Sequence, residues 1–225
     1  MSKITKAAKQ LRLPEEKLLG DWIACIPGFA LKKYRQLQRS RLSIFSIQCF
    51  GGCISNMLGL PFLSPFVNLY LPKTDFIKFL RSPRVHLKKN LTYRGTNFDS
   101  KKTYEFPVAN LGNISLNMMH YETFEESVEL WEHRKTLINW YNIFVVMWTN
   151  SREELEQFDA LPYGKKVCFV SFKSDLDSAW YINCEIDKDA SRFVDVVLNF
   201  SRGKFFYYDL FDMLLYGKKT PLIDM

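Results

Sequence analysis

The stretch from Leu42 to Leu58 constrains the fold most, because in it an apolar run leads directly into a glycine-containing helix start. It reads LSIFSIQ, then CFGG, then CISNML. Residues 42–48 have the length and apolar character of a buried strand, and residues 51–58 suit a helix that ends at Gly59. The stretch therefore predicts a strand, a tight turn and a helix, which is the repeating unit of α/β proteins.

Apolar runs and turn residues extend this alternation along the chain. Further strands are predicted at residues 66–71, 114–120, 143–148, 167–172 and 179–186, and a hairpin or long loop at 92–110. Helices are predicted at residues 74–80, 190–200 and 205–215, and after two capping boxes that begin at Thr123 and Ser151. Alternating strands and helices imply right-handed crossovers and a largely parallel sheet. We therefore expect a three-layer α/β fold with a mostly parallel sheet flanked by helices.

The length of 225 residues is that of one large domain with a sizeable core. We expect a single α/β domain over residues 1–225, with an N-terminal helical segment at 1–41 and an α/β core at 42–225. A helix beginning at Pro14 is predicted to carry an apolar stripe of Leu18, Leu19, Trp22, Ile23 and Ile26. A second short helix is predicted around Tyr34 and Leu37.

Five cations follow the apolar stripe: Lys32, Lys33, Arg35, Arg39 and Arg41. The chain carries a net charge of +7, which favours an anionic partner. Two interpretations stay open for this segment: an amphipathic helix packed on the core with a solvated basic turn, or a surface that rests on an anionic membrane. No nucleic-acid partner is predicted, because the sequence has no recognised helix-turn-helix, zinc-finger or aromatic RNA-binding signature.

Cysteine content and hydropathy predict the compartment. The five cysteines are odd in number and lie mainly in apolar surroundings, so we expect reduced thiols and no disulfide framework. No second pair of Cys or His stands at metal-ligand spacing, and no metal site is predicted. No apolar run reaches the roughly 18 residues of a membrane span, and the first residues lack a signal-peptide core. The sequence therefore predicts a cytoplasmic protein whose membrane contact, if present, is peripheral.

Three predicted strand ends carry polar side chains. They are Gln48-Cys49 with Gly51-Gly52, His120-Tyr121-Glu122, and Thr149-Asn150-Ser151. Ligands of open α/β sheets bind beyond the carboxyl ends of the strands. The topology therefore predicts a functional site where these ends meet.

Cys49 and His120 are the candidate catalytic pair. Backbone N–H groups and the helix dipole after Cys49 would stabilise a thiolate or bind an anion. The alternative is a small residue that turns a tight corner. His120 ends a predicted strand and is the best general base among the three histidines, or else it caps a helix. If the two side chains meet, they form a Cys–His nucleophile arrangement.

The segment WEHRKTLINWYN adds candidate binding residues. Arg134 could hold a phosphate or carboxylate through two hydrogen bonds, and Trp131 could stack on a sugar or base. The alternative is a helix face on which Trp131 belongs to the core and Arg134 pairs with a glutamate. Both interpretations stay open from the sequence.

The order of SIQCFGG, LGLPFLSPF, a histidine-tyrosine pair and WEHRKTLIN resembles a bacterial family of unknown function described as exopolysaccharide biosynthesis proteins. The resemblance runs from about Ser43 to Pro162. The positions that match the family pattern are Cys49, Gly51, Gly52, Ser64, Pro65, Phe66, His120, Tyr121, Trp131, Arg134 and Asn139. Ile47 and Gln48 replace two family asparagines, and Phe50 replaces a tryptophan, which puts the substrate or the activity in doubt.

The resemblance implies an α/β fold and a place in capsule or surface-glycan assembly, and it supplies no reaction. We assign substrate binding to Gln48, Gly51, Gly52, Ser64, Tyr121, Trp131, Arg134 and Asn139. A Cys–His pair beside an anion-binding turn suits acyl transfer from a phosphate-rich donor, such as a coenzyme A thioester, to a glycan precursor. Three alternatives are glycosyl transfer from a nucleotide sugar, for which Asp175-Leu176-Asp177 is a candidate D-x-D, hydrolysis through Cys49, and a non-catalytic partner of the glycan-assembly machinery.

Overall fold

A computed structural model describes residues 21–99, 104–184, 195–197, 199 and 207–224 of the chain. Helices within these residues are α1 (Asp21–Ala24), α2 (Leu31–Arg39), α3 (Phe50–Met57), α4 (Lys73–Arg81), α5 (Pro83–His86), α6 (Phe124–Thr136), α7 (Arg152–Asp159) and α8 (Leu210–Tyr216). Strands are β1 (Ser43–Ser46), β2 (Leu91–Asp99), β3 (Tyr104–Leu111), β4 (Ile114–Asn117), β5 (Ile143–Thr149), β6 (Lys166–Val170) and β7 (Ala179–Tyr181).

The central sheet has four parallel strands in the order β1, β5, β6 and β7. Nearly all residues of β1, β5 and β6 are buried, as expected for a parallel sheet with helices on both faces. On one face Phe50 of α3 contacts Phe169 of β6, with ring centroids 5.7 Å apart. On the other face Phe79 of α4 contacts Phe45 of β1 at 6.1 Å. The predicted α/β fold with a mostly parallel sheet flanked by helices is confirmed.

A second, antiparallel sheet has the order β2, β3 and β4. The predicted hairpin at 92–110 is confirmed as β2 and β3. The predicted strand at 114–120 forms as the shorter β4, but it pairs with β3 and takes no place in the parallel sheet. The prediction of a strand at 66–71 is wrong, since only Tyr70 forms a bridge, to Asn117. Asn68 adopts a φ of 65° in this segment, which interrupts extended backbone.

Helix α2, which carries most of the predicted basic segment, packs against α8. Lys33 Nζ lies 2.8 Å from the Asp209 carboxylate and 2.7 Å from that of Asp212. Tyr34 and Phe211 pack edge to face, with ring centroids 6.4 Å apart. The buried Tyr34 confirms the predicted second helix. The charge of Lys33 is therefore balanced by the carboxylates of Asp209 and Asp212. Of the five cations, Lys33 does not belong to an exposed basic surface.

Two predicted helices extend beyond the described residues. The start of the N-terminal helix, with Leu18 and Leu19, lies outside them, whereas Ile23 and Ile26 are described and buried. The helix at 190–200 is described only at 195–197 and 199, which are helical. Among the described residues, no helix combines the length and apolar character that crossing a membrane requires.

Gly51 lets α3 pack closely on β1, and a pair of alanine variants tests this. A Cβ on Gly51 would lie 2.8 Å from Ile44 Cγ2 and 2.9 Å from Ser46 Oγ, whereas one on Gly52 meets only Val67 at 3.4 Å. Both substitutions gain similar helix propensity, about 1 kcal/mol. We therefore expect urea unfolding to show Gly51→Ala less stable than Gly52→Ala by about 1–3 kcal/mol. Equal stabilities would contradict the close packing.

Candidate functional site

Backbone hydrogen bonds bring three chain segments together at the carboxyl ends of β1 and β5. Ile47 N–H donates to the Val146 carbonyl at 3.2 Å, and the Ile47 carbonyl accepts from Leu71 N–H at 3.0 Å. Residues 66–73 therefore lie across the end of β1. Tyr70 and Asn117 exchange two backbone hydrogen bonds of 2.9 and 2.8 Å, which ties the same segment to β4. We call this region, the carboxyl ends of β1 and β5 with residues 66–73, the β1–β5 edge.

Cys49 lies half-buried at the N-cap position of α3, directly after β1. The Ser46 hydroxyl donates to the Gln48 carbonyl at 2.6 Å and accepts from Gly51 N–H at 3.1 Å. These two bonds fold the chain tightly from the strand into the helix. Gly51 and Gly52 thus face β1 and Val67 respectively, and their small size allows close approach by the protein's own side chains.

The buried Tyr121 and the half-buried Arg134 are hydrogen-bonded to each other. The Tyr121 hydroxyl donates to the Val67 carbonyl at 2.8 Å and accepts from Arg134 Nη1 at 2.7 Å. Burial raises the pKa of Tyr121, the Arg134 cation opposes that rise, and a charge on Cys49 adds to it. Tyr121 is therefore near enough to Cys49 for the two charges to interact, and the assignment of Gln48, Cys49, Tyr121 and Arg134 to one site stays a prediction.

His120 is exposed, and its backbone N–H donates to the Asn68 carbonyl at 3.2 Å. Its ring lies 6.5 Å from that of Tyr104, between centroids. Since Asn68 adjoins Val67, His120 and Tyr121 both attach to the segment that lies across β1. The pairing of His120 with Cys49 stays a prediction.

Three other candidate binding residues have bonds or burial that serve the fold. Ser64 is buried, and its hydroxyl accepts from Phe66 N–H at 3.1 Å. Trp131 is 1% exposed and packs on Phe66 with ring centroids 5.9 Å apart, as in the core interpretation of this residue. Asn139 lies at the amino end of β1, where its backbone N–H donates to Ser43 Oγ at 2.9 Å. The structure therefore does not bring Asn139 to the β1–β5 edge.

Sequence reasoning missed a second polar group at the same edge. Lys73, the first residue of α4, has its Nζ 4.1 Å from the centroid of the Trp148 ring and 3.8 Å from Glu154 Oε2. The Thr149 hydroxyl donates to Glu154, so the carboxylate is fixed at the end of β5. Burial raises the pKa of Tyr70, and the Glu154 carboxylate adds to that rise. The signal that pointed here was the polar strand end Thr149-Asn150-Ser151.

The described residues contain no group of three or more His, Cys, Asp or Glu side chains placed to hold a metal ion. The polar groups at the β1–β5 edge are instead a thiol, a guanidinium, an ammonium, one carboxylate and an amide. Such a set can bind an anion and can support attack by a thiolate.

The fold and this edge define the class: an α/β protein whose polar groups gather at the carboxyl ends of neighbouring parallel strands. Residues 25–216 match the family described as Domain of unknown function (DUF1919), and the chain belongs to this family. It is also similar to an uncharacterized protein of Haemophilus influenzae, with 33% identity over 188 residues that cover 79% of this chain and 84% of the relative. Neither description names an activity.

Replacement of Tyr121 by Phe tests the bonds beside Cys49. The change removes the donor to the Val67 carbonyl and the acceptor for Arg134, in a side chain that is 4% exposed. We expect a loss of about 1–3 kcal/mol in the free energy of unfolding, measured in urea. The control is Tyr93→Phe, whose exposed hydroxyl bonds to Thr96 Oγ1, with an expected change within about 0.5 kcal/mol. Equal losses of stability in the two variants would contradict a stabilising role for the two hydrogen bonds of the Tyr121 hydroxyl.

Proposed function

We propose that the protein is a transferase that modifies a precursor of a surface polysaccharide or exopolysaccharide, with acyl transfer as the reaction and Cys49 as the nucleophile. The observation that carries this proposal is the position of Cys49: half-buried, at the start of α3, and near enough to Tyr121 for its charge to affect that residue. The start of a helix favours a negative charge, and therefore the reactive thiolate.

In the proposed reaction the Cys49 thiolate attacks the carbonyl carbon of an acyl thioester, such as that of coenzyme A. The bond between that carbon and the donor sulfur breaks, and the donor leaves as a thiol after taking up a proton. A hydroxyl of the glycan precursor then attacks the thioester on Cys49, gives its proton to a base and releases the thiolate. His120 is our candidate for that base.

The glycan part of the proposal rests on the resemblance of three motifs to exopolysaccharide proteins. SIQCFGG, LGLPFLSPF and WEHRKTLIN all lie within residues 25–216, which match the family. Gln48 keeps an amide where the family pattern has an asparagine. Ile47 does not, and it is 2% exposed in the core. The retained amide supports a site that still binds polar substrate.

A cytoplasmic location with peripheral membrane contact belongs to the same proposal. Lys32, Arg35 and Arg39 of α2 are exposed, and Leu31 beside them is 40% exposed. Cations next to an apolar side chain suit an anionic membrane surface. The same surface would serve a non-catalytic partner of the glycan-assembly machinery, which would keep its function without Cys49.

A groove at the ends of β6 and β7 favours a second candidate, glycosyl transfer from a nucleotide sugar. It has a volume of about 750 Å³, and we call it the β6–β7 groove. Its polar and aromatic lining includes Arg152, Lys173, Asp175, Tyr181 and Lys219. The cations suit a diphosphate, a tyrosine ring suits a base, and Asp175 begins the D-x-D of residues 175–177. Cys49→Ala would leave this activity intact.

Trapping of an acyl-enzyme tests acyl transfer directly. On incubation with acetyl-coenzyme A, we expect peptide mass spectrometry to find one acetyl group, on Cys49, because its thiolate is the nucleophile. Cys49→Ser should abolish the adduct. With a sugar acceptor present, His120→Gln should slow its turnover by about 10²- to 10⁴-fold, since the base is lost.

The control is Cys53→Ser, one turn further along α3, where Cys53 N–H donates to the Cys49 carbonyl at 2.8 Å. This variant should be acetylated like the wild type. An adduct spread equally over Cys49, Cys53 and the exposed Cys25 would mean non-specific reaction. Either that result or no adduct at all would refute the thiolate mechanism.

A further inference from the structure

Lys73 presents an ammonium group that lacks a hydrogen-bond acceptor in the described part of the chain. Its side chain is only 20% exposed, and the nearest carboxylate oxygen, Glu154 Oε2, lies 3.8 Å away, beyond hydrogen-bond distance. The Trp148 ring below it stabilises the charge but accepts no strong hydrogen bond. An ammonium has three N–H donors, so a bound anion could accept from this partly buried group.

Gln48 offers a second free donor at the same edge. Its Nε2 is buried and has no hydrogen-bond partner among the described residues. Gln48 follows Ile47, whose backbone bonds both to Val146 and to Leu71, two residues before Lys73. The free amide and the free ammonium therefore belong to segments that the backbone holds together.

The start of helix α4 supplies further donors there. Helix α4 begins at Lys73 after Pro72, whose side chain has no oxygen with which to cap it. At the start of helix α3, by contrast, the Ser46 hydroxyl already accepts from Gly51 N–H at 3.1 Å. The first N–H groups of an α-helix have no partner within the helix, and they attract anions.

We propose that the β1–β5 edge binds the diphosphate of a nucleotide-linked donor, with Lys73 and Gln48 as its side-chain ligands. A diphosphate carries enough acceptor oxygens to satisfy an ammonium, an amide and backbone N–H groups at once. Coenzyme A and nucleotide sugars share this chemistry. The inference rests on the proposed function for the reaction that follows, and binding itself is measured without turnover.

The Glu154 carboxylate should repel the bound anion. The proposal therefore makes a second prediction, that removal of this negative charge tightens binding. Its carboxylate is held by Thr149 and lies beside Lys73, so it repels a diphosphate there. Glu154→Gln removes the charge and keeps an oxygen that can accept from Thr149. Diphosphate binding should therefore tighten in this variant, whereas a merely structural Lys73–Glu154 ion pair predicts no gain.

Isothermal titration calorimetry with pyrophosphate, coenzyme A and UDP-glucose tests the site. We expect Lys73→Met to weaken pyrophosphate binding about 10- to 100-fold and Gln48→Leu about 3- to 10-fold. Glu154→Gln should tighten it about 3- to 10-fold. The control is Lys78→Met on the same helix, whose Nζ donates to the Asn113 carbonyl at 3.1 Å, and it should bind like the wild type. Circular dichroism confirms that each variant is folded.

The two nucleotide probes identify the donor. Loss of coenzyme A binding in Lys73→Met supports a thioester donor, and loss of UDP-glucose binding alone supports a nucleotide sugar at the same site. Absence of pyrophosphate binding, equal loss in Lys78→Met, or loss in Lys219→Met instead of Lys73→Met would overturn the proposal. Failure of Cys49 to accept an acetyl group would refute acyl transfer and leave the binding result standing.

Discussion

The two backbone hydrogen bonds of Ile47 are the constraint on which the candidate site depends. Its N–H pairs with Val146 of β5, and its carbonyl pairs with Leu71. Ile47 is thus the last residue of this part of the chain that bonds to β5, and it is also the residue that bonds to the segment 66–73. Cys49 and Gln48 follow on one side of this junction, and Lys73 follows on the other. Parallel strands place their carboxyl ends at one edge, so the junction meets the polar end of β5 as well.

Charge at this edge is arranged in two groups with different partners. Arg134 Nη1 donates to the Tyr121 hydroxyl, which in turn donates to the Val67 carbonyl. Within the described residues, Lys73 Nζ lies 4.1 Å from the centroid of the Trp148 ring and 3.8 Å from Glu154 Oε2. The bond to Tyr121 uses one of the five N–H donors of the Arg134 guanidinium. Arg134 therefore supports Tyr121 and keeps donors for an anion, while Lys73 is the cation that we propose as the diphosphate ligand.

Local signals made much of the fold predictable. The strand, turn and helix around Cys49 follow from an apolar run and two glycines, and the caps follow from Thr123 and Ser151, whose hydroxyls accept from residues three positions on. Residues 66–71 have the composition of a strand, but they lie across the end of β1, and Asn68 interrupts extended backbone with a φ of 65°. The apolar content of the segment does not reveal this conformation. The approach of Lys73 to Glu154 depends on tertiary packing of distant segments, and no local pattern encodes it.

Hydrogen–deuterium exchange with and without coenzyme A measures most directly whether the β1–β5 edge is the functional site. Amide protons at the start of a helix exchange readily when they lack acceptors, and a bound anion slows them. The account predicts slower exchange in peptides that contain residues 48–52 and 72–76, with little change elsewhere. Protection confined to residues 173–181, in the β6–β7 groove, or no protection by a ligand that demonstrably binds, would contradict it.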